Sequence, residues 1–337
     1  MPYNKFANPK LHNHKIAFGK KILQMKHWLI IMAFFAVAKS NAQQNKKYYS
    51  KEFSVQTDND VYLLNSKDGY YTNGIFLEYS IASEKNRQKK IDRFVLGQTM
   101  FTTGDKKAVW RNEESIDRPY CGYLFAKYIQ EKFIDNETIF GWNFSLGVTG
   151  KWSLAQQLQD SYHKIIHVKT YPYWETQITN SFGFNAGVNY TKTLASSSIA
   201  KMVAVAEANA GMHYTNIKAA AYFCLGAFEK NNSSALLNAR ANATANNSKR
   251  KYELFFYFHP ILIAQGYNAT TQGTLFYKTN NAVTCKPQTF MYQHTWGIAY
   301  AASRVTGKLE ATYQTKEAST QNRQQRYASI HFAYLFN

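Results

Sequence analysis

The alternation of apolar and polar residues along much of the chain is the feature that most limits its possible folds. In TIFGWNFSLGVT, residues 138–149, one face carries Phe140, Trp142, Phe144, Leu146 and Val148. The other face carries only small or uncharged polar side chains, and SFGFNAGVNY, residues 181–190, repeats the pattern. Because successive side chains of a β-strand point to opposite faces, a period of two predicts strands with one apolar and one polar face.

A transmembrane β-barrel and a soluble β-sandwich both produce this alternation. The aromatic apolar face suits a lipid-facing wall, and the small neutral face suits a narrow lumen. The final segment, RYASIHFAYLFN, is an aromatic amphipathic strand that resembles the sorting signal of outer-membrane barrels. We therefore predict an all-β fold, a closed antiparallel transmembrane β-barrel of about 12 strands. The strands are expected near 51–57, 73–81, 90–98, 119–130, 138–149, 174–192, 201–214, 217–228, 252–264, 286–301, 306–316 and 324–336.

The N-terminal region has the pattern of an export signal. The apolar run WLIIMAFFAVA, residues 28–38, follows Lys26 and precedes the small residues Ser40-Asn41-Ala42. The run is too short for a transmembrane helix, which needs about 20 residues, but has the length of a signal-peptide core. A buried core helix is the alternative interpretation. We expect an N-terminal extension and signal peptide over 1–42 and one barrel domain over 43–337.

The chain is strongly basic, with a formal net charge of +19. Seven lysines and no acidic residue precede the expected cleavage site, which leaves +12 for the mature chain. A surplus of this size favours a polyanionic partner. For an exported protein we expect anionic lipid headgroups rather than nucleic acid, although a merely solvated basic surface remains the alternative. The three cysteines, Cys121, Cys224 and Cys285, indicate neither a disulfide framework nor a metal site.

Two segments break the strand pattern. In WSLAQQLQDSYHKII, residues 152–166, apolar residues recur at helical spacing, which predicts a short helix between strands five and six. Gln159 and His163 lie four residues apart and so share a face of that helix. The polar segment 231–247, rich in Asn, Ala and Ser, is expected to be a mobile loop on the periplasmic side.

If the chain enters the barrel from the periplasm, loops after odd-numbered strands are extracellular. The acidic cluster Asp58-Asn59-Asp60 and Thr72 follow the first strand. Gln159 and His163 follow the fifth strand. Lys106, Lys107 and Arg118 follow the third strand. Carboxylate and amide oxygens can hold a hard cation, a histidine can act as general base, and basic side chains can bind phosphates or an oxyanion. Taken singly, each of these residues is more often structural or solvated; together they suggest a hydrolase.

The order of several motifs resembles the outer-membrane lipid A 3′-O-deacylases, the LpxR-like family. The motifs are DGYYTNGIFLEY, DRPYCGY, LGVTG, QDSYHKII and YPYWETQI, together with Asn59-Asp60 and Gly97-Gln98. They cover the first half of the expected mature chain, whereas the second half matches only as barrel strands. The resemblance implies a twelve-stranded barrel and a calcium-dependent esterase that acts on lipid A, or lipopolysaccharide, in the outer leaflet of the outer membrane of a Gram-negative bacterium.

The resemblance also implies roles for individual residues. His163 matches the catalytic histidine, and Gln159 and Ser161 match residues that line the site. Asn59, Asp60 and Thr72 match the calcium-site region, and Lys106 or Lys107 matches a basic residue near the scissile ester. Lys169 departs from the family, because a functional glutamate is expected six positions after the histidine. Glu175 is an alternative source of that carboxylate.

On this basis we expect His163 to activate water, a Ca²⁺ ion to act as the electrophile, and Lys106, Lys107 and Arg118 to bind lipid phosphates and sugar. We expect a monomer whose active site faces outward. One rival is a non-catalytic barrel, either a narrow pore or a lipopolysaccharide-binding structural protein. Another is an outer-membrane serine phospholipase, which would need a strand-borne Ser–His pair that the sequence does not display. Ser153 and Ser161 lie near the histidine without a nucleophile motif.

Overall fold

The computed structural model describes residues 48–63, 69–104, 116–165, 172–244, 250–276 and 282–337, all within one compact unit. The predicted signal-peptide region lies outside the described residues. The described ranges contain twelve strands, which close into a single antiparallel barrel. The strands are β1 Lys51–Asn59, β2 Tyr70–Lys85, β3 Gln88–Thr102, β4 Cys121–Phe133, β5 Thr138–Thr149, β6 Ser181–Ser196, β7 Ala200–Gly211, β8 Tyr214–Ala227, β9 Tyr252–Asn268, β10 Phe290–Ala302, β11 Val305–Gln314 and β12 Gln325–Phe336.

Each strand pairs with its neighbours in the sequence, and the first pairs with the last. In the closing ladder, Lys51 lies opposite Phe336 and Asn59 lies opposite Ala328. Closure satisfies the backbone hydrogen bonds of every strand, which a membrane requires because no water is available to replace them. The prediction of a closed, twelve-stranded antiparallel barrel is confirmed.

The two faces of the strands are placed as the alternation predicts. In β5, Phe140, Trp142, Phe144 and Leu146 are exposed on the outer wall. Gly141, Asn143, Ser145 and Gly147 are buried toward the lumen. Large apolar side chains exposed on the outside of a barrel with a polar interior are expected for a wall that contacts lipid.

Antiparallel order places the connections after odd-numbered strands at one end of the barrel. We call this the helix end, because the connection after β5 holds the helix α1, Ala155–Ile165, preceded by a 3-10 turn, Gly150–Ser153. The predicted helix between strands five and six is therefore confirmed. A second short helix, α2, Ala269–Gln272, follows β9 at the same end. Among the described residues, no helix has both the length and the apolar character needed to cross a membrane.

The predicted start of the sixth strand, at residue 174, is wrong. Residues Pro172–Thr176 form a 3-10 helix, and β6 begins at Ser181. Proline lacks a backbone N–H and has a fixed φ, so it suits the first turn of a helix better than the middle of a sheet. The side chain of Trp174 is fully buried beside α1 rather than placed in the strand ladder.

The expectation that the segment after β8 is a mobile loop is also wrong for its described part. Residues 229–244, which we call the plug, enter the lumen at the end opposite the helix end. They include a 3-10 turn, Ala235–Leu237, and bury Ala235, Leu236, Ala239 and Ala241. Composition suggested a solvated loop, but side chains on the barrel wall bind its backbone carbonyls.

Candidate active site

The helix α1 packs on the outer wall of the barrel, against β3 and β4 at the helix end. Gly122 of β4 allows this close approach, because a Cβ atom there would lie 2.0 Å from Ser153 Oγ and 2.3 Å from Ala155 Cβ. Gln98 of β3 shares the outward face with Leu96, and its amide donates a 2.5 Å hydrogen bond to the Ser153 carbonyl. Both strands thus fix the start of the helix on the outside of the barrel.

Gln159 is the polar residue that α1 turns toward the barrel wall. Its side-chain oxygen accepts a hydrogen bond of 2.7 Å from the indole nitrogen of Trp174. Trp174 is fully buried, its ring meets that of Tyr120 edge-on, and Met100 and Ala155 complete the cluster. A buried polar group needs a partner to offset its desolvation, and this bond fixes the rotation of the helix.

His163 lies one helical turn after Gln159 and is half-buried. The spacing of four residues places both side chains on one face of α1. Ser161 is exposed and lies between them in sequence, on a different face. Of the three expected catalytic residues, the helix therefore brings Gln159 and His163 together and turns Ser161 away.

The acidic part of the site lies where β1 ends. Asp60 begins the 3-10 turn Asp60–Leu63 and is only 4% exposed. One of its carboxylate oxygens accepts a 2.8 Å hydrogen bond from the backbone N–H of Gly69. Gly69 has φ of 149°, and a Cβ atom there would lie 2.7 Å from the backbone of Gly104. Glycine is therefore required for the donor to reach the carboxylate.

Thr72 reaches the same region through an irregularity in β2. The register between β2 and β3 shifts between Tyr71 and Asn73, so Thr72 is an extra residue in the strand. Such bulges re-aim side chains, often beside active sites. Asn73 lies opposite Asn59 across the β1–β2 ladder, and the Thr72 hydroxyl lies 3.0 Å from that of Thr102. Strand pairing thus gathers Asn59, Asp60 and Thr72 at one point of the rim.

The helix and the acidic turn adjoin each other. Partial burial, and secondly the neighbouring Tyr62, raise the pKa of the Tyr162 phenol. Tyr62 belongs to the turn that begins with Asp60, and Tyr162 immediately precedes His163. Asp60 and His163 lie at the same end of the barrel, as expected; Lys107, which was expected at that end too, lies outside the described residues.

The oxygen atoms at this point of the rim are suitable ligands for a hard cation. They belong to the Asp60 carboxylate, the Asn59 amide and the Thr72 hydroxyl, all groups of the kinds that bind Ca²⁺. The Asn59 amide oxygen also accepts a 2.8 Å hydrogen bond from the Val61 N–H. Within the described ranges, no cluster of three or more His, Cys, Asp or Glu side chains could hold a metal ion. A calcium site here would therefore need backbone, amide, hydroxyl or water oxygens beside the carboxylate of Asp60.

Arg118 does not face the outside, contrary to the expectation that it binds lipid phosphates. Its side chain is fully buried, and its guanidinium pairs with Glu317 at 2.8 Å. The same group donates to the Thr270 hydroxyl at 3.0 Å and lies 3.9 Å from the centre of the Phe101 ring. These contacts use the guanidinium to join the connections after β3, β9 and β11. Lys106, Lys107 and Lys169 lie outside the described residues.

Sequence reasoning missed the residues that support the helix. Trp174, Gln98 and Gly122 carry no reactive group, so they were not considered as site residues. A signal was nevertheless present, because all three fall in motifs shared with the family: YPYW, GQ and DRPYCGY. The tryptophan that ends the Tyr-Pro-Tyr-Trp sequence, shortly after a predicted helix, is the signal that could have indicated a buried support.

Comparisons with known proteins agree with the family resemblance seen in the sequence motifs. The family model described as outer membrane protein LpxR matches residues 28–336. The structure matches that of LpxR from Salmonella typhimurium with a TM-score of 0.70 and 20% identity, covering 85% of this chain and 100% of that one. The translocator domain of the autotransporter NalP from Neisseria meningitidis matches over 96% of this chain and 98% of its own, at a TM-score of 0.41 and 8% identity, too low to carry an argument. No curated protein sequence matches the chain.

Proposed function

The chain belongs to the LpxR family of outer-membrane proteins, and from this premise we propose that it is a calcium-dependent lipid A deacylase. The reaction is hydrolysis of an ester-linked acyl chain of lipid A in the outer leaflet of the outer membrane. The enzyme is a carboxylic ester hydrolase, and it works as a monomer with its active site facing outward.

The observation that carries this proposal is the orientation of α1. The helix buries Gln159 toward the wall, yet exposes the apolar residues Leu158, Tyr162 and Ile165, and Leu154 immediately before it is exposed as well. A soluble helix would place these groups the other way round. An exposed apolar stripe beside half-buried His163, on the outer wall of a barrel, suits a substrate whose acyl chains remain in the membrane. A water-soluble substrate would give no reason for this arrangement.

The chemistry follows from the residues on the two elements. The neutral imidazole of His163 takes a proton from water, which attacks the ester carbonyl carbon. The tetrahedral intermediate then breaks its bond to the sugar oxygen, which receives the proton from His163 and leaves as the alcohol, while the acyl chain leaves as a fatty acid. Gln159, one turn earlier and held by Trp174, orients the ring or the attacking water. Asn59, Asp60 and Thr72 would hold a calcium ion, which supplies polarisation of the carbonyl and stabilisation of the oxyanion. Ser161 is no nucleophile in this scheme, because it lies on a different face of α1 from His163.

Binding of the lipid headgroup requires positive charge beside the site. We assign this role to Lys106 and Lys107, which belong to the connection after β3. We do not assign this role to Arg118, because its side chain is buried and paired with Glu317. Lipid A phosphates are polyanionic, and the surplus of basic residues in the chain favours their attraction.

Mass spectrometry of lipid A from cells that express the chain tests the proposal. We expect a species that lacks one ester-linked acyl chain, and no such species from cells with an empty vector. Purified protein with purified lipid A should give the same product, and excess chelator should abolish it. If fully assembled protein leaves lipid A intact in both assays, the non-catalytic alternative, a barrel that only binds lipopolysaccharide, replaces the enzyme.

A further inference from the structure

The connection between β8 and β9 differs in kind from the other connections at its end of the barrel. The β2–β3 and β10–β11 connections are the two-residue turns 86–87 and 303–304, whereas this one runs from residue 228 to 251. Its described part, the plug of residues 229–244, lies inside the barrel. A connection this long is not needed to join two adjacent antiparallel strands.

Three cationic side chains of the barrel wall hold the plug by its backbone and amide oxygens. The Lys89 ammonium donates to the Asn232 and Ala239 carbonyls and to the Asn242 amide, at 2.6–2.8 Å. The Lys308 ammonium donates to the Leu236 carbonyl at 3.1 Å and to the Asn238 amide oxygen at 2.6 Å. These bonds involve charged donors, which makes them stronger than bonds between neutral groups.

Arg93 joins the wall to the plug. Its guanidinium pairs with Glu78 at 2.9 Å and with Glu131 at 2.8 Å, and both carboxylates belong to strands beside β3. The same guanidinium donates to the carbonyls of Leu237 and Asn238 at 3.2 and 3.1 Å. One buried cation therefore crosses from the strand ladder to the centre of the plug.

Glu253 and Arg240 complete the attachment. The carboxylate of Glu253 accepts hydrogen bonds from the Ser234 hydroxyl at 2.7 Å and from the Ala235 N–H at 2.8 Å. Arg240, on the plug itself, donates to the Ser303 and Val305 carbonyls of the β10–β11 turn at 2.8 Å. The plug is thus bound both inside the lumen and at its rim.

Apolar contacts seal the plug against two sectors of the wall. Ala235 and Leu236 pack in one buried cluster with Val203, Cys224, Phe228, Phe255, Tyr257, Ala299 and Ala301. Ala239 and Ala241 pack in a second cluster with Ala82, Ile91, Phe133, Ile139 and Leu335. The first cluster involves β7 to β10, whereas the second involves β2 to β5 and β12. The two clusters therefore hold the plug between two sectors of the wall.

The rest of the lumen lies beyond the plug, toward the helix end. A cavity of about 330 Å³ lies there, and its lining includes the polar side chains of Lys127, Asn216, Lys218 and Gln314 beside aromatic ones such as Phe101 and Phe125. On β8 the cavity residues Asn216 and Lys218 precede Cys224, which packs in the first apolar cluster. On β11 Gln314 lies six residues past Lys308. Cavity and plug therefore follow one another along the barrel axis.

We propose that residues 229–244 are a resident plug that seals the lumen and prevents ion conduction through the barrel. Every contact that carries this inference lies away from α1, so it is independent of the proposed hydrolase function. The plug also identifies which part of the chain must move before any solute can pass. Movement of the plug would break the hydrogen bonds between its carbonyls and the charged side chains of the wall, and water would have to replace the carbonyls as acceptors.

Single-channel recording in planar bilayers tests the plug. The parent protein should insert without conductance steps. A variant in which residues 231–247 are replaced by a short Gly-Ser turn should give stable steps, because the polar lumen is then continuous. Conduction by the parent equal to that of the deletion variant would overturn the proposal. So would a deletion variant that shows the heat-modifiable mobility of a folded barrel but no conductance.

A second measurement decides the case if the deletion variant does not fold. Cys224 packs against the plug, so it can report opening when Cys121 and Cys285 are replaced by serine. We compare two lumen lysines: Lys308, which binds the plug, and Lys218, which pairs with Glu207 of the wall at 3.1 Å.

Lys308→Met removes charged hydrogen bonds to the plug, so modification of Cys224 by a small water-soluble maleimide should become about tenfold faster. Lys218→Met should leave the rate close to that of the parent. Equal rates in the two variants, with both barrels folded, would show that the plug is not held as proposed.

Discussion

The indole nitrogen of Trp174 donates a 2.7 Å hydrogen bond to the side-chain oxygen of Gln159, and both side chains are buried between α1 and the barrel wall. Trp174 comes from the 3-10 turn that precedes β6, so this bond joins α1 to the later part of the long connection after β5. It fixes the helix face that carries His163 one turn later.

Trp174→Phe should therefore lower lipid A deacylation while leaving the barrel folded. The change leaves the buried amide oxygen of Gln159 without its donor, at a cost of about 1–3 kcal/mol. Small displacements of a catalytic group reduce rates strongly, and we expect a fall of roughly 10- to 100-fold. The control is Trp142→Phe, on the exposed outer wall. Equal activity of the two variants would show that this bond does not position the site.

His163→Asn should remove the general base. The substitution keeps roughly the same volume but removes the imidazole, the side chain best suited to general base catalysis at neutral pH, and loss of such a base costs about 10²–10⁴ in rate. His294→Asn is a matched control, because His294 stacks on Tyr313 on the outer wall, away from α1. Rates are compared by lipid A mass at equal amounts of folded barrel. Parental activity in His163→Asn would disprove the assignment of the base.

Asp60→Asn should weaken the dependence on calcium at constant side-chain size. Ligand charge is a main determinant of calcium affinity, so we expect the calcium concentration for half-maximal activity to rise by about tenfold or more. Asp135→Asn, in the β4–β5 turn at the opposite end, is the control. Activity that persists unchanged in excess chelator, in parent and variant alike, would exclude calcium as the electrophile.

Lys169→Glu tests the departure from the family pattern. If a carboxylate six residues after the histidine assists the reaction, the variant should keep or increase the parental rate. Lys164→Glu makes the same charge change on the exposed side of α1 and controls for general electrostatic effects. An equal gain in both variants would attribute the effect to net charge. If parent and Lys169→Glu are both inactive, the lipopolysaccharide-binding alternative gains support.

Arg118→Met should destabilise the barrel rather than weaken substrate binding. The change leaves the carboxylate of Glu317 buried without its cation, which costs about 3–5 kcal/mol. The double variant Arg118→Met/Glu317→Gln removes both charges and should recover most of this loss. The temperature at which heat-modifiable mobility disappears measures the effect. If Arg118→Met instead raises KM at unchanged thermal stability, Arg118 contacts the lipid after all.

The sequence by itself determined the class of fold. The period of two in β5 and β6 places Phe140 and Phe184 outside and Asn143 and Asn185 inside, whatever the exact register. Closure follows, because a strand with a lipid-facing side cannot leave an unpaired edge in the membrane. The helical spacing that predicted α1 also placed Gln159 and His163 on one face. These are local properties of the chain, and local periodicity is sufficient to specify them.

Tertiary structure decided which polar residues act at a surface and which are structural. The sequence predicted that Arg118 binds lipid phosphates and that the segment 231–247 is a mobile loop, because charge and polarity usually indicate exposure. Instead, Arg118 is buried in an ion pair with Glu317, 199 residues later in sequence, and the plug is held by Lys89 and Arg93 of β3 and by Lys308 of β11. The sequence predicted Trp174 to begin a strand, whereas the structure places it in a 3-10 helix, with its indole hydrogen-bonded to Gln159. Burial depends on partners distant in sequence, and only the closed barrel brings those partners together.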